Sequence, residues 1–111
     1  MAADYYDRDQ LPRFAEIAEG NPELAEKFFA YYGAVFRDGA LTVREKALIA
    51  LAVAHAVQCP YCIDAYTTGC QEAGADLPQM TEAIHVATAI RGGASLVHGL
   101  QMLDQARKTS M

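Results

Sequence analysis

The chain has 111 residues, enough for one domain with a single core and one site. Apolar residues make up 52% of it, above the usual ~45–50%, and in so small a chain that favours burial between subunits. Nine basic against 14 acidic residues, a net charge of −5, leave no basic stripe to neutralise phosphates, so no nucleic-acid partner is expected.

The opening Met1-Ala2-Ala3-Asp4 lacks the positive and apolar regions of a secretory signal, which points to a cytoplasmic protein. Apolar residues then recur three and four apart through most of the length, with almost no period-two alternation, so the expected class is all-α. Asn21-Pro22-Glu23 reads as an N-cap, a proline at the first helical position and an acid in the first turn. The helix it opens runs to about residue 37, with Phe28, Phe29, Tyr32 and Phe36 on its apolar face, and Asp38-Gly39 ends it.

Thr42-Val43-Arg44-Glu45 is a capping box, in which the threonine hydroxyl and the glutamate carboxylate satisfy each other's orphan amides. The helix that follows is apolar on every face and rich in alanine, so it is expected to be central. Its apolar run over 47–57 is well short of the ~20 residues that span a bilayer, so no membrane partner is expected. Pro60 cannot donate to the preceding turn, which breaks the helix near Gln58 and restarts it at Pro60 with Cys59 as N-cap.

The restarted helix carries Cys62, Tyr66 and Cys70 and stops at Gly74. A further helix is expected from Asp76-Leu77-Pro78 to about Ile90. Arg91-Gly92-Gly93 interrupts the pattern, through a bend or close packing, before a last helix over 94–106 with a frayed Arg107-Lys108 tail. The expected architecture is a compact fold of about six helices in one domain, 1–111. No repeat, low-complexity stretch or linker marks a second domain.

Cys59-Pro60-Tyr61-Cys62 carries the chemistry. A two-residue spacer across one helical turn brings two sulfurs within range of a reversible disulfide. At a helix N-terminus, unpaired amides and the positive end of the dipole favour thiolate over thiol, and thiolate is the nucleophile. On an idealised continuous helix at about 100° per residue, His55, Cys59, Cys62 and Tyr66 fall within roughly 60° of one another. His55 is thereby placed to exchange a proton with Cys59, or with a departing peroxide oxygen.

Cys70 lies eight residues past Cys62, roughly 12 Å along a helix, too far for a disulfide with it, and reads as a small core residue. An odd cysteine count in a reducing compartment argues against a structural disulfide framework. Zinc on the CxxC is the competing reading, but it wants four ligands and only His55, His85 or His98 is available to complete them. Neither a metal nor a cofactor is expected. His85 and His98 read as packing or subunit contacts, Tyr61 as a packing ring and Asp64 as a complement to the helix dipole.

The stretch LTVREKALIALAVAHAVQCPYCIDAYTTGCQEAGA, with the later AIRGGASLVHG, resembles the carboxymuconolactone decarboxylase family in its alkylhydroperoxidase-like branch. The resemblance covers about 31–102, and its details are most similar to small peroxidase-like members associated with arsenosugar biosynthesis. It implies an all-helical fold assembled as trimers or hexamers. It also implies a CxxC that reduces a peroxide or passes electrons to a disulfide, with a separate electron donor. The branch's two thiols map onto Cys59 and Cys62. Its usual glutamate, 12 residues before the first cysteine, and its histidine, four after the second, fall on Ala47 and Tyr66.

Glu45 lies nearly on the opposite helix face from position 47 and does not substitute. His55 is the candidate stand-in. The candidate catalytic set is therefore Cys59, Cys62, His55 and Tyr66, for a thiol-dependent peroxidase or disulfide reductase. The alternatives are a catalytically weak binding or assembly member, and a lactone decarboxylase-like enzyme. Decarboxylase members typically lack the cysteine pair.

Overall fold

The computed structural model describes residues 5–109; the residues on which the expectation of no secretory signal rests, 1–4, lie outside them. Among the described residues there are five helices and no strand. A 3-10 helix spans Arg8–Glu19, followed by α1 (Pro22–Val35), α2 (Val43–Ala56), α3 (Pro60–Glu72) and α4 (Leu77–Thr109).

The helix starts follow their local signals. Asn21 accepts the Leu24 amide at 3.1 Å. In the Thr42 box, the hydroxyl accepts the Glu45 amide at 3.1 Å and the Glu45 carboxylate accepts the Thr42 amide at 2.8 Å. Those bonds hold the exposed Glu45 carboxyl below its ordinary value and commit it to the cap.

Two of the helix ends are Schellman motifs, in which amides just past the helix turn back to its last free carbonyls. At the end of α3, Ala75 N–H donates to Cys70 at 2.9 Å and Gly74 N–H to Gln71 at 3.1 Å. Gly74 has φ +84, the left-handed conformation that glycine adopts without steric cost. At the end of α2, Cys59 N–H donates to Ala54 at 3.0 Å and Gln58 N–H to His55 at 3.2 Å. There the left-handed residue is Gln58, φ 58, which no glycine signalled.

Basic side chains from one helix close the ends of others, where cations also complement the dipole. Lys46 Nζ donates to the carbonyls of Val35 at 2.7 Å and Arg37 at 2.5 Å beyond α1. Arg44 Nε donates to Ala73 at 3.2 Å beyond α3. Arg91 donates to the Ala56 carbonyl at the end of α2.

The core is small. Ala47, Leu51, Cys70, Ala75 and Met80 form it, with Leu48, Tyr66 and Ala73 packed against them. Helix α2 is central as expected, packing on both α3 and α4. It buries only the stripe Ala47, Leu51 and Ala54, and its apolar residues Ile49, Val53 and Val57 remain exposed in the single chain. Cys70 is wholly buried, in the core role expected of it, and burial pushes its thiol up.

The expected interruption at Arg91-Gly92-Gly93 does not occur. Helix α4 runs unbroken for 33 residues, through Arg107 and Lys108 to Thr109. Two exposed glycines cost a helix only about 1 kcal/mol each, and no proline removes a hydrogen bond there. Two expected helices thus become one about 50 Å long, within a molecule whose longest dimension is 59 Å. No described helix is long and apolar enough to cross a membrane.

Candidate active site

The site begins where α2 ends. With Gln58 left-handed and Cys59 extended (φ −99, ψ 102), α3 sets off on a new axis and Cys59 becomes its N-cap, as the proline at position 60 predicts. The Cys59 sulfur accepts the Cys62 backbone N–H at 3.3 Å at the N-terminus of α3. The two sulfurs are 2.6 Å apart, both thiols are free and both residues are half-buried. A small side-chain rotation carries them to the ~2.05 Å of an S–S bond.

The two thiols are not equivalent. Cys62 is pushed up to about 11, first by burial and then by its hydrogen bond and charge interaction with Cys59. Protonated Cys62 therefore favours the folded state below the ordinary thiol value of 9.0, and that contribution is lost as the pH rises through about 11. Under reducing conditions, the stability difference between wild type and Cys62→Ser is expected to shrink over that interval, measured by urea midpoints at successive pH values. A difference that stays flat contradicts the assignment.

Tyr66, one turn beyond Cys62, stacks on Phe36 with centroids 5.2 Å apart and planes 21° apart. Its hydroxyl hydrogen-bonds with that of Tyr32 from α1. Tyr32 is held above its ordinary value, first by burial and then by charge interaction with Cys62 and Cys59. Sequence reasoning placed Tyr32 only on an apolar face. Its hydroxyl, on a residue 34 positions before Tyr66, gave no local sign of its partner.

Ala47 and Tyr66 line one cavity together with Tyr32. A pair of phenols therefore occupies the region of the two positions that the resemblance matched to its branch's glutamate and histidine.

His55 is not brought to the cysteines. Its Nδ1 hydrogen-bonds with the Leu51 carbonyl at 2.8 Å, and its ring lines a cleft against α4 with Gln58, Ile84 and Arg91. The expected stripe assumed one continuous helix axis, which the left-handed Gln58 interrupts, and among the described residues no hydrogen bond joins His55 to Cys59 or Cys62. His85 and His98 are exposed in the single chain. Among the described residues no three His, Cys, Asp or Glu side chains converge as metal ligands, so the zinc reading lacks a donor set.

Two cavities reach the thiols. One of about 610 Å³ opens onto Cys62 and Tyr66 between apolar walls that include Val35, Leu41, Ile49, Val53 and Val57. The other, about 350 Å³, is shared by Cys59, Tyr61 and Cys62 with Gln10, Leu11 and Phe14 of the 3-10 helix. Asp64 does more than complement a dipole, because its carboxylate accepts from the Tyr6 hydroxyl and from Arg8 Nη1 at 2.7 Å.

An all-helical chain with a dithiol seated on a helix N-terminus defines a thiol-bearing helical protein. The profile of the carboxymuconolactone decarboxylase family matches residues 22–105, and the chain belongs to that family. The dithiol is in keeping with its alkylhydroperoxidase-like branch.

Among similar proteins, "Uncharacterized protein 4 in cox locus" of Paracoccus denitrificans is 42% identical over 93 residues, 81% of this chain and 84% of that one. A crystal structure of a protein from Methanobacterium thermoautotrophicum superposes with a TM-score of 0.73 at 36% identity, covering 78% of this chain and 97% of that one. Apo-lpg0406, a carboxymuconolactone decarboxylase family protein from Legionella pneumophila, gives a TM-score of 0.69 at 31% identity over 94% of this chain and 93% of that one.

Proposed function

We propose that this protein is a thiol-dependent oxidoreductase that reduces a peroxide at the Cys59–Cys62 pair. The observation that carries this reading is the pair itself, two free sulfurs 2.6 Å apart with the Cys59 sulfur on a helix-terminal amide.

In the proposed cycle, the Cys59 thiolate attacks the peroxide oxygen. An S–O bond forms, the O–O bond breaks, and the leaving oxygen takes a proton to become an alcohol or water. Tyr66 supports that step from the cavity it shares with Cys62, where its hydroxyl, hydrogen-bonded with that of Tyr32, serves as the proton donor to the leaving oxygen. Cys62 then attacks the sulfenic sulfur. The S–S bond forms, and hydroxide leaves with the Cys62 proton as water. An external thiol donor returns two electrons and two protons to reset the pair.

Stoichiometric peroxide is expected to yield an intramolecular Cys59–Cys62 disulfide, seen by mass mapping as the loss of two hydrogens from the peptide carrying both residues. Absence of that disulfide defeats the reading and favours a binding or assembly role.

We also propose that the protein works as a homo-oligomer. Its radius of gyration is 18.9 Å, against about 13 Å for a compact chain of this length. Helix α4 leaves Ile90 70% and Leu96 75% exposed, with Val97 and Leu100 also exposed. Light scattering is expected to give a multiple of 12.0 kDa. A stable monomer defeats the proposal.

A further inference from the structure

The segment before α1 lies outside the family match, which begins at residue 22, yet it forms one wall of the smaller cavity over the thiols. It is an unusual wall. Its 3-10 helix is 12 residues long, contains Pro12 and buries no residue. Runs of this geometry beyond three or four residues are uncommon because their hydrogen bonds are poor. The segment is held instead by contacts to its neighbours.

Phe14 packs edge-on against Phe29 of α1, with centroids 5.1 Å apart. The Tyr6 ring meets Tyr61, inside the CxxC, at 5.1 Å and 85°. Tyr6 and Arg8 both donate to Asp64 in α3. The Arg8–Asp64 pair is partly exposed, so its attraction is screened and modest, but two donors converging on one carboxylate fix a direction as well as an energy.

We propose that residues 5–19 act as a size filter over the Cys59 side of the dithiol, latched by Tyr6 and Arg8 on Asp64. The filter admits small oxidants and low-molecular-weight thiols and holds off folded protein thiols until the latch opens. Its biological meaning rests on the redox reading of the pair, but its test does not, because alkylation reads access to a thiol without any turnover.

The reduced full-length protein is labelled with two reagents that share one reacting group, N-methylmaleimide and a polyethylene glycol maleimide, and the modified cysteine is located by mass mapping. Asp64→Ala is expected to raise the rate of Cys59 labelling by the large reagent about tenfold, as befits loss of charge-assisted hydrogen bonds from a closing equilibrium. The small reagent should change less than about twofold by the same reasoning. Removing Asp64 also alters the charge near the start of α3, but that moves both rates together and leaves their ratio unchanged.

The double variant Tyr6→Phe, Arg8→Gln opens the latch from the other side with α3 intact, and the same selective gain is expected. A gain shared equally by both reagents, no gain, or selectivity in only one of the two variants overturns the filter.

Discussion

Cys62→Ser is expected to stop the cycle halfway. Peroxide should still convert Cys59 to a sulfenic acid, because Cys59 and the helix-terminal amide bonded to its sulfur are unchanged. With no second thiol 2.6 Å away, the sulfenic acid persists and is trapped by dimedone as a mass adduct on Cys59. Peroxide turnover with an external thiol should fall by about 100-fold or more, since resolution then depends on a bimolecular encounter rather than a neighbouring group.

Cys59→Ser should fail earlier, without a sulfenic adduct, because burial keeps Cys62 protonated. If Cys59→Ser consumes peroxide as fast as Cys62→Ser, the roles assigned to the two thiols are wrong.

The largest loss of stability is expected from Leu51→Ala. This side chain is 1% exposed at the junction of α2 with α3 and α4, and its surroundings, Ala47, Cys70, Ala75 and Met80, include few large groups able to move into the space. Deleting a buried leucine to alanine costs 2–5 kcal/mol, and a site that collapses poorly lies toward the upper part of that range, so about 4 kcal/mol is expected. Urea unfolding of the reduced protein at fixed concentration measures it, which also holds any assembly constant. A loss below about 1 kcal/mol would mean that this small cluster is not what holds the three helices together.

Much of the local structure was legible in the sequence because its causes lie within a few residues of one another. Asn21-Pro22, the Thr42 to Glu45 box, Pro60 and Gly74 each set a helix boundary through a cap or a missing amide, and Cys59 as N-cap followed directly. What could not be read depends on contacts between distant segments.

Tyr32 meets Tyr66 across 34 residues, and Asp64 meets Tyr6 and Arg8 across more than 50. His55 was drawn into the site by a helical period that a single left-handed residue, Gln58, interrupts. Arg91-Gly92-Gly93 looked like a stop because glycine usually is one, yet Arg91 anchors the end of a different helix and the helix continues through all three.

That anchor has a mechanical meaning. The last turn of α2 delivers the chain to Gln58 and Cys59, and it is fastened to Arg91, midway along α4, as well as by its own turn. The spacing of the two sulfurs therefore stands on the helix that offers the longest bare flank to other molecules. A force or a binding event that shifts α4 along its length pulls on the carbonyl of Ala56, three residues before Cys59.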